Sequence, residues 1–321
     1  MRDIIEAWQG KRALVVGDPL IDRYHFGKVE RISQEAPVPI FVTEKTEERR
    51  GGADNVAANL EALGMEVHTH YPNRPWGIKI RYISGHHQLF RVDEDVKHLP
   101  GPPILVTKGW AQVIVISDYA KGYCSRDVCQ TLIEHADCPV VVDPKGIDWG
   151  KYKGATVCCP NEHERNNAWG IGRPNLIKRG ARGIDLERED EYLNFPAQAH
   201  RIYDVTGCGD VVTAVVAATL AAGGSLEIAA QLANLAAGWA AGEIGTVACS
   251  KERLCELVSR MESSTSSMRG TNISSQSAAN IATISSLPLT QMSMQGASKV
   301  PYDPSINLAQ ESAMSVLSQK R

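Results

Sequence analysis

The chain has 321 residues, of which 43% are hydrophobic and 22% charged, and its formal net charge is −3. This composition is typical of a soluble globular protein with room for one large α/β domain or two smaller ones. Because the net charge is small and no long block of like charges occurs, the sequence lacks the basic footprint of a nucleic-acid-binding protein.

The sequence shows no pattern typical of a targeting or membrane-spanning segment. Charges flank Ile4 and Ile5, so residues 1–11 lack the apolar core of a signal peptide. The longest apolar stretch, 211–222, is shorter than the about 20 residues that cross a bilayer, and we expect a buried helix there. The 8 cysteines are scattered without a CxxC pair, which favours a reducing compartment and predicts a cytoplasmic location.

Short runs rich in valine and isoleucine alternate with helical stretches along the chain. Residues 13–17, 113–117 and 139–143 are continuous apolar runs, as in strands that are buried on both faces of a sheet. Residues 125–136, between the last two runs, have helical spacing and begin with a serine, which completes a βαβ pattern. The sequence therefore predicts an α/β fold with a parallel sheet covered by helices.

A second, smaller sheet is predicted from segments of mixed polarity. Residues within about 24–43 and 78–92 alternate partly between polar and apolar side chains, which indicates half-exposed strands that could form a lid. Two alanine-rich helices are predicted further along, over about 209–222 and 225–241. From residue 261 the chain is rich in serine and poor in charge, so we interpret 1–260 as the folded domain and 261–321 as a flexible tail.

The clearest chemical signal is a glycine turn that leads into an apolar helix. Residues 204–210 read Asp-Val-Thr-Gly-Cys-Gly-Asp. A helix N-terminus exposes unpaired N–H groups, and Gly207 and Gly209 would let an anion approach them closely. In the simplest interpretation Asp210 only caps the helix. Beside a bound phosphate it could also accept the proton of an attacking hydroxyl.

Other phosphate-binding loops do not fit this turn. The chain contains no GxxxxGK[S/T] sequence, and the turn does not match GxGxxG, so a Walker A loop is excluded and a dinucleotide site is weakly supported. Cys208 lies between the two glycines, where only a small side chain avoids crowding an anion. Its place at a helix N-terminus would favour the thiolate form.

The pattern of residues 204–210 resembles the carboxy-terminal signature of the ribokinase-like, or PfkB, carbohydrate kinases. Residues 51–64, which read GGADNVAANLEALG, are similar to a second signature of that family. Shorter motifs resemble one branch, the kinases of D-glycero-β-D-manno-heptose 7-phosphate; they lie at residues 17–24, 31–39, 117–122, 143–146 and 160–164. The resemblance covers about residues 10–257. It implies a Rossmann-type sheet flanked by helices, with a small β lid and a site between lid and core.

The resemblance also implies roles for particular residues. Asp210 corresponds to the catalytic base of the family. The anion hole would comprise Gly207, Cys208 and Gly209, and the sugar hydroxyls would be bound by Asp22, Gly52 and Asn55. The residues expected to bind ATP are Asn161, Lys178, Gly180, Gly183, Thr206 and Asn234. Glu164 would hold Mg²⁺ through a water molecule. Candidate partners for a substrate phosphate are Arg81, Arg91 and Lys121.

The activity that the resemblance implies is ATP-dependent phosphorylation of heptose 7-phosphate to the 1,7-bisphosphate, a precursor of ADP-heptose and lipopolysaccharide. Its cofactors would be ATP and Mg²⁺, and its partners small molecules, without nucleic acid or membrane. Two alternatives stay open, a kinase for another sugar or nucleoside and a nucleotide or sugar binder without turnover. The second arises because the chain is shorter than the family pattern after Gly64 and between Asn161 and Lys178. The sheet edges exposed by such deletions would favour a homodimer.

Overall fold

A mixed eight-stranded sheet lies at the centre of the computed structural model, which describes residues 1–170, 172, 174–198 and 202–270. In spatial order its strands are β12 (Tyr192–Phe195), β11 (Ile184–Glu187), β10 (Asn175–Lys178), β9 (Val157–Cys158), β8 (Val140–Asp143), β7 (Val113–Ser117), β1 (Arg12–Gly17) and β4 (Glu66–His70). The six strands from β10 to β4 are parallel, whereas β11 and β12 are antiparallel. The predicted α/β sheet is therefore confirmed.

A four-stranded sheet forms the lid. Its strands lie in the order β3 (Pro39–Gly52), β2 (Pro19–Ile32), β5 (Gly77–Ser84) and β6 (His87–Glu94). β2 follows β1 almost directly, and β3 leads straight into the next helix, so both ends of the β2–β3 hairpin are anchored at the central sheet. All residues of β6 are exposed. The lid is thus joined to the core at the end where β1 finishes.

Helices cover both faces of the central sheet. In chain order they are α1 (Arg2–Glu6), α2 (Ala53–Ala62), α3 (Arg126–His135), α4 (Glu162–Asn167), α5 (Cys208–Ala221), α6 (Leu226–Ala240) and α7 (Lys251–Gly270). Val15 of β1 packs into the apolar layer under α2, α5 and α6, whereas its neighbours Leu14 and Val16 pack into the layer under α3. Side chains alternate between the faces of a strand, so a continuous apolar run fills both layers.

Nearly all of the described residues belong to one compact unit, Met1–Ser266. α7 extends to Gly270, so the first residues of the serine-rich segment are helical rather than irregular. The rest of the predicted tail, 271–321, lies outside the described residues. No helix in the described ranges combines the length and the apolarity needed to cross a membrane.

α5 is the element that brings the glycine turn to the sheet. It packs against β7, β8, α2 and α6, and every residue from Asp210 to Thr219 is buried. Thr213, one turn into α5, donates to Asp143 at the carboxyl end of β8 (Oγ1 to Oδ2, 3.3 Å). The N-terminus of α5 therefore lies at the carboxyl ends of the parallel strands, where open α/β sheets form their binding sites.

Candidate active site

The glycine turn leaves backbone donors free at the start of α5. Gly207 is the N-cap and has φ +77°, a left-handed conformation that favours glycine. Among the described residues the N–H groups of Gly207 and Gly209 donate to no protein acceptor, and that of Cys208 makes only a long bond to Val205 O (3.3 Å). Two unpaired N–H groups at the positive end of a buried helix are suited to bind an anion.

Asp210 is held between two side chains from distant segments. Asn55 Nδ2 donates to Asp210 Oδ2 (2.7 Å), and the Tyr119 hydroxyl donates to Asp210 Oδ1 (2.7 Å). The carboxyl group is only 4% exposed. Burial, and next to it the charge of Asp143, raises the pKa of Asp210 to about 6, although the bonds from Asn55 and Tyr119 oppose the rise. At neutral pH the group is ionised and basic enough to take a proton from a hydroxyl.

Both partners of Asp210 are oriented by a further layer of polar contacts. Asn55 lies in the first turn of α2, and its carbonyl and amide oxygens accept bonds from Asn59 Nδ2 (2.9 and 3.3 Å). This fixes the Asn55 amide so that its NH₂ group faces Asp210. The backbone N–H of Tyr119 donates to Asp18 Oδ2 (3.0 Å), which positions the loop after β7. The Asp210 carboxylate is thus held in one orientation by fixed partners.

A cavity of about 440 Å³ opens beside the turn. The residues predicted for the anion hole, the base and the nucleotide largely converge on it: its wall includes Asn161, Glu164, Lys178, Gly180, Gly183, Gly207, Cys208, Gly209, Asp210 and Asn234. A volume of this size accommodates a small organic ligand. Predicted site residues that lie up to 73 positions apart in the sequence, from Asn161 to Asn234, therefore meet around one space.

Lys178 places a positive charge at the turn. A side chain at Gly209 would bring its Cβ within 3.3 Å of Lys178 Nζ, so the absence of a side chain permits this approach. Lys178 Nζ also pairs with Asp143 Oδ1 (2.7 Å). Burial lowers the pKa of Lys178, but Asp143 and Glu164 outweigh it and raise the value overall. The lysine stays charged beside the free N–H groups.

Two of the predicted ATP-binding residues have structural contacts of their own. Asn234 lines the cavity, and its Nδ2 donates to the carbonyls of Pro196 (2.6 Å) and Phe195 (3.2 Å), which holds the strand end along the wall. Thr206 uses its N–H (2.9 Å) and hydroxyl (2.6 Å) to bind Asp204 Oδ1. Thr206 is not part of the cavity wall; it shapes the turn from behind.

Glu164 lies in a capping box at the start of α4. Asn161 Oδ1 accepts from the Glu164 N–H (2.8 Å), and Glu164 Oε2 accepts from the Asn161 N–H (2.8 Å). Its other oxygen, Oε1, pairs with Lys145 Nζ (2.5 Å). The carboxylates of Glu164 and Asp143 are potential oxygen ligands for a metal ion, and both already accept bonds from protein groups. Such a set fits a Mg²⁺ ion that keeps its own waters and contacts the protein through them.

The residues predicted to bind sugar hydroxyls lie on the lid side of Asp210. Asp22 on β2 pairs with Arg81 on β5, and both side chains are 6% exposed. Gly52 has φ +59° and ends β3 where α2 begins, with Asp18 O close to its α-carbon. Neither Asp22 nor Gly52 lines the cavity. Asn55 connects the lid residues with Asp210. It lies in α2 three residues after Gly52, and its side chain donates to the Asp210 carboxylate.

Cys208 differs from the expectation drawn from its position. Burial, followed by the charges of Asp204 and Asp210, raises the pKa of its thiol to about 11. The predicted preference for the thiolate is therefore wrong, because burial, with the two carboxylates next to it, disfavours a negative charge on the sulfur. Cys208 acts as a small residue in the turn, and like the other seven cysteines it is a free thiol.

Tyr119 was not among the residues predicted for the site. The motif at 117–122 contains it, but nothing in the sequence distinguishes its hydroxyl from that of a tyrosine in the core. Its role depends on the approach of the loop after β7 to the start of α5, which is a long-range contact. Tyr119 can therefore be identified as a donor to Asp210 only once the fold is known.

The comparisons with known proteins agree with this geometry. The profile of the pfkB family carbohydrate kinases matches residues 111–253. The bifunctional protein HldE of Caulobacter vibrioides is 37% identical over 299 residues, with coverage of 75% of this chain and 62% of the relative. HldE of Methylococcus capsulatus is 40% identical over 299 residues, covering 76% and 63%. The chain thus spans somewhat less than two thirds of the length of these relatives.

Solved structures show the same fold at low sequence identity. Ribokinase of Arabidopsis thaliana, in complex with ribose and ATP, superposes with a TM-score of 0.59 at 16% identity, covering 78% of this chain and 98% of that one. Ribokinase of Thermotoga maritima gives 0.58 at 15% identity, covering 78% and 99%. The predicted ribokinase-like fold is confirmed, and the profile match and the HldE relatives show that the chain is similar to the pfkB family carbohydrate kinases.

Proposed function

We propose that the chain transfers the γ-phosphoryl group of ATP to a hydroxyl group of a sugar phosphate. One observation carries the proposal: Asp210, a buried carboxylate with a raised pKa, lies beside the unpaired N–H groups of Gly207 and Gly209. An anion hole next to a general base is the arrangement that phosphoryl transfer to a hydroxyl requires. The similarity of residues 111–253 to the pfkB family carbohydrate kinases supports it.

The cavity is the proposed nucleotide site. Gly180, Gly183 and Asn234 line the part away from the turn, and Lys178 and Gly209 line the part next to Asp210. The phosphates would lie at the turn, because Lys178 and the free N–H groups supply positive potential there. A bound Mg²⁺ would neutralise further phosphate charge, and Asp143, Asn161 and Glu164 are placed to hold its waters.

In this proposal Asp210 performs the only proton transfer that the chain itself supplies. Asn55 and Tyr119 keep its two oxygens in place, so one lone pair faces the accepting hydroxyl without rotation of the side chain. The hydroxyl loses its proton to Asp210 as its oxygen bonds to phosphorus. The free N–H groups stabilise the charge on the transferring group while the bond to ADP breaks.

We propose D-glycero-β-D-manno-heptose 7-phosphate as the acceptor, phosphorylated at O1. The motifs that resemble heptose 7-phosphate kinases and the HldE relatives at 34–40% identity support this substrate. The lid supports a polar acceptor, since Asp22 and Arg81 form a buried ion pair on the side of Asp210 away from the nucleotide cavity. Such a pair offers both a donor and an acceptor to sugar hydroxyls.

Consumption of ATP by the purified chain tests the proposal. Heptose 7-phosphate, fructose 6-phosphate and ribose are compared, each with and without Mg²⁺, and the Asp210→Asn variant is the control for contaminating kinases. We expect Mg²⁺-dependent turnover with heptose 7-phosphate that the variant lacks. Turnover only with ribose or fructose 6-phosphate would reject the heptose. Saturable ATP binding without product from any of the three sugars would reject the kinase.

A further inference from the structure

Lys79, on the inner face of the lid, has a cationic side chain without an anionic partner. It lies in β5 opposite Asp22 of β2 and Asp93 of β6. Both of these carboxylates are already engaged, Asp22 by Arg81 and Asp93 by Arg91. Among the described residues no carboxylate is within ion-pair distance of the Lys79 ammonium, which lies 4.9 Å from the centre of the Tyr119 ring.

The lid face that carries Lys79 is turned toward the catalytic turn. Side chains two residues apart share a face of a strand, so Lys79 and Arg81 point to the same side. Tyr24, the register partner of Arg81, is fully buried, and its hydroxyl accepts from the backbone N–H of Thr246 (3.1 Å). Thr246 in turn lies beside the glycine turn, since a Cβ at Gly207 would be 3.0 Å from Thr246 Cγ2. The inner face of the lid is therefore one wall of the space around Asp210.

Lys79 is the one cation named on this wall that has no ion-pair partner. Arg81 pairs with Asp22, Arg91 with Asp93, and Arg49, further along the same face, with Glu47 (3.0 Å). Lys79 is half-buried. A partly buried cation without a counter-ion is unfavourable, and an anionic group that approaches it gains the interaction that the protein does not supply.

The lowered pKa of Lys79 also indicates that its charged form lacks a stabilising anion. Burial lowers the pKa of the Lys79 ammonium below its ordinary value, Arg81 and Arg91 lower it further, and Asp22 and Asp210 oppose them. A phosphate monoester next to the ammonium would restore the charged form, because an opposite charge at short range favours ionisation. Lys121, which the sequence also suggested as a partner for a substrate phosphate, already forms an ion pair with Asp95 (2.5 Å).

We propose that Lys79 binds the phosphate ester already carried by the sugar substrate, and so makes the enzyme select a sugar phosphate over a free sugar. This inference rests on the proposed function. The Tyr119 ring lies between the two ends of such a substrate. Its hydroxyl touches the base that faces the accepting hydroxyl, and Lys79 lies over its face on the lid side. A sugar that spans the ring presents its phosphate to the lid while its free hydroxyl reaches Asp210.

The test replaces Lys79 with methionine in the full chain, which keeps the length of the side chain and removes its charge. Lys45→Met is the matched control, because Lys45 is an exposed lysine of the same sheet that pairs with Glu47. For Lys79→Met we expect KM for heptose 7-phosphate to rise about 100-fold, a loss typical of a direct contact between a phosphate and a partly desolvated ammonium. KM for ATP and kcat/KM for the dephosphorylated heptose should stay at wild-type values. Lys79→Arg should recover most of the loss, and Lys45→Met should behave as wild type.

Several results would overturn the inference. An unchanged KM for the sugar phosphate, or an equal loss with the phosphorylated and dephosphorylated sugars, would show that Lys79 only supports the packing around Tyr119. Lys79→Gln serves as a second variant if the methionine variant fails to fold by circular dichroism.

If the wild type turns over no sugar phosphate, the proposed function fails, and calorimetric titration of heptose 7-phosphate without ATP decides the inference separately. Binding that Lys79→Met weakens about 100-fold supports it. Equal affinity for wild type and variant, or no binding to either, rejects it.

Discussion

Replacement of Asp210 by asparagine should make the protein more stable and less active at the same time. The carboxyl group is 4% exposed, and burial together with Asp143 raises its pKa from 3.8 to about 6. A pKa difference of roughly two corresponds to about 3 kcal/mol, which the folded protein loses when the group is ionised. Asparagine keeps the shape and can still accept the bond from Asn55 without carrying a charge. We therefore expect Asp210→Asn to raise the free energy of unfolding at pH 8 by up to about 3 kcal/mol.

The sign of this effect can be checked through its pH dependence. Because the folded-state pKa of Asp210 lies above the unfolded value of 3.8, the folded protein binds the proton more tightly. The stability that the protonated group contributes is complete below pH 3.8 and is lost as the pH rises through about 6. The advantage of Asp210→Asn over the wild type should thus shrink to about half between pH 8 and pH 5.

The activity of the same variant follows from the loss of a general base. Removal of a positioned base lowers kcat by about 10² to 10⁴, or roughly 3–5 kcal/mol in the barrier. The affinity for ATP should change little, because Lys178 and the free N–H groups are untouched. Wild-type turnover in the variant would remove Asp210 from the mechanism.

Chemical denaturation at pH 8 and pH 5, with turnover measured on the same preparations, gives all of these quantities. Asp127→Asn, at an exposed position in the first turn of α3, controls for the substitution itself. If Asp210→Asn were no more stable than the wild type at pH 8, or if its advantage were the same at both pH values, the account of a strained buried carboxylate would be refuted.

Three further outcomes are expected. The wild-type kcat should rise with pH through an apparent pKa of about 6 as Asp210 loses its proton, and a flat profile between pH 5 and 8 would contradict this. Tyr119→Phe removes a bond that lowers the pKa of Asp210, so the acid limb of the pH–rate profile should move to higher pH, whereas a change in kcat alone would indicate a packing role. Gly207→Ala places a Cβ 2.9 Å from Asn55 Nδ2 at φ +77°, and we expect about 1–3 kcal/mol lower stability in denaturation together with little turnover.

The central sheet could be predicted because its strands are apolar on both faces. The run at 13–17 became β1, and those at 113–117 and 139–143 became β7 and β8, with shifts of at most one residue at their ends. Their side chains fill two layers, so no other element type suits them. The glycine turn could also be predicted, because a left-handed N-cap residue before an apolar helix requires a glycine at a recognisable position in the sequence.

The polar contacts of the site could not be predicted in the same way. Tyr119 and Lys79 are separated from Asp210 by long stretches of chain, and their roles arise from how the loop after β7 and the lid approach α5. The sequence predicts a role for Glu164 beside Mg²⁺, but not that its two oxygens accept bonds from Asn161 and Lys145. Local sequence reports propensity and burial, but the pairing of charges is decided by tertiary packing.

The position of β4 at the end of the central sheet leaves one edge of that sheet without a neighbouring strand. Its outer edge offers unpaired N–H and C=O groups that could template another strand. Glu66 and His68 lie exposed on this strand, and Pro72 and Pro75 follow within the next turn of chain. Charged and proline residues at the free edge of a sheet disfavour pairing with strands of other molecules, and so disfavour aggregation. These residues thus protect the outer edge of β4 against pairing with a strand of another chain.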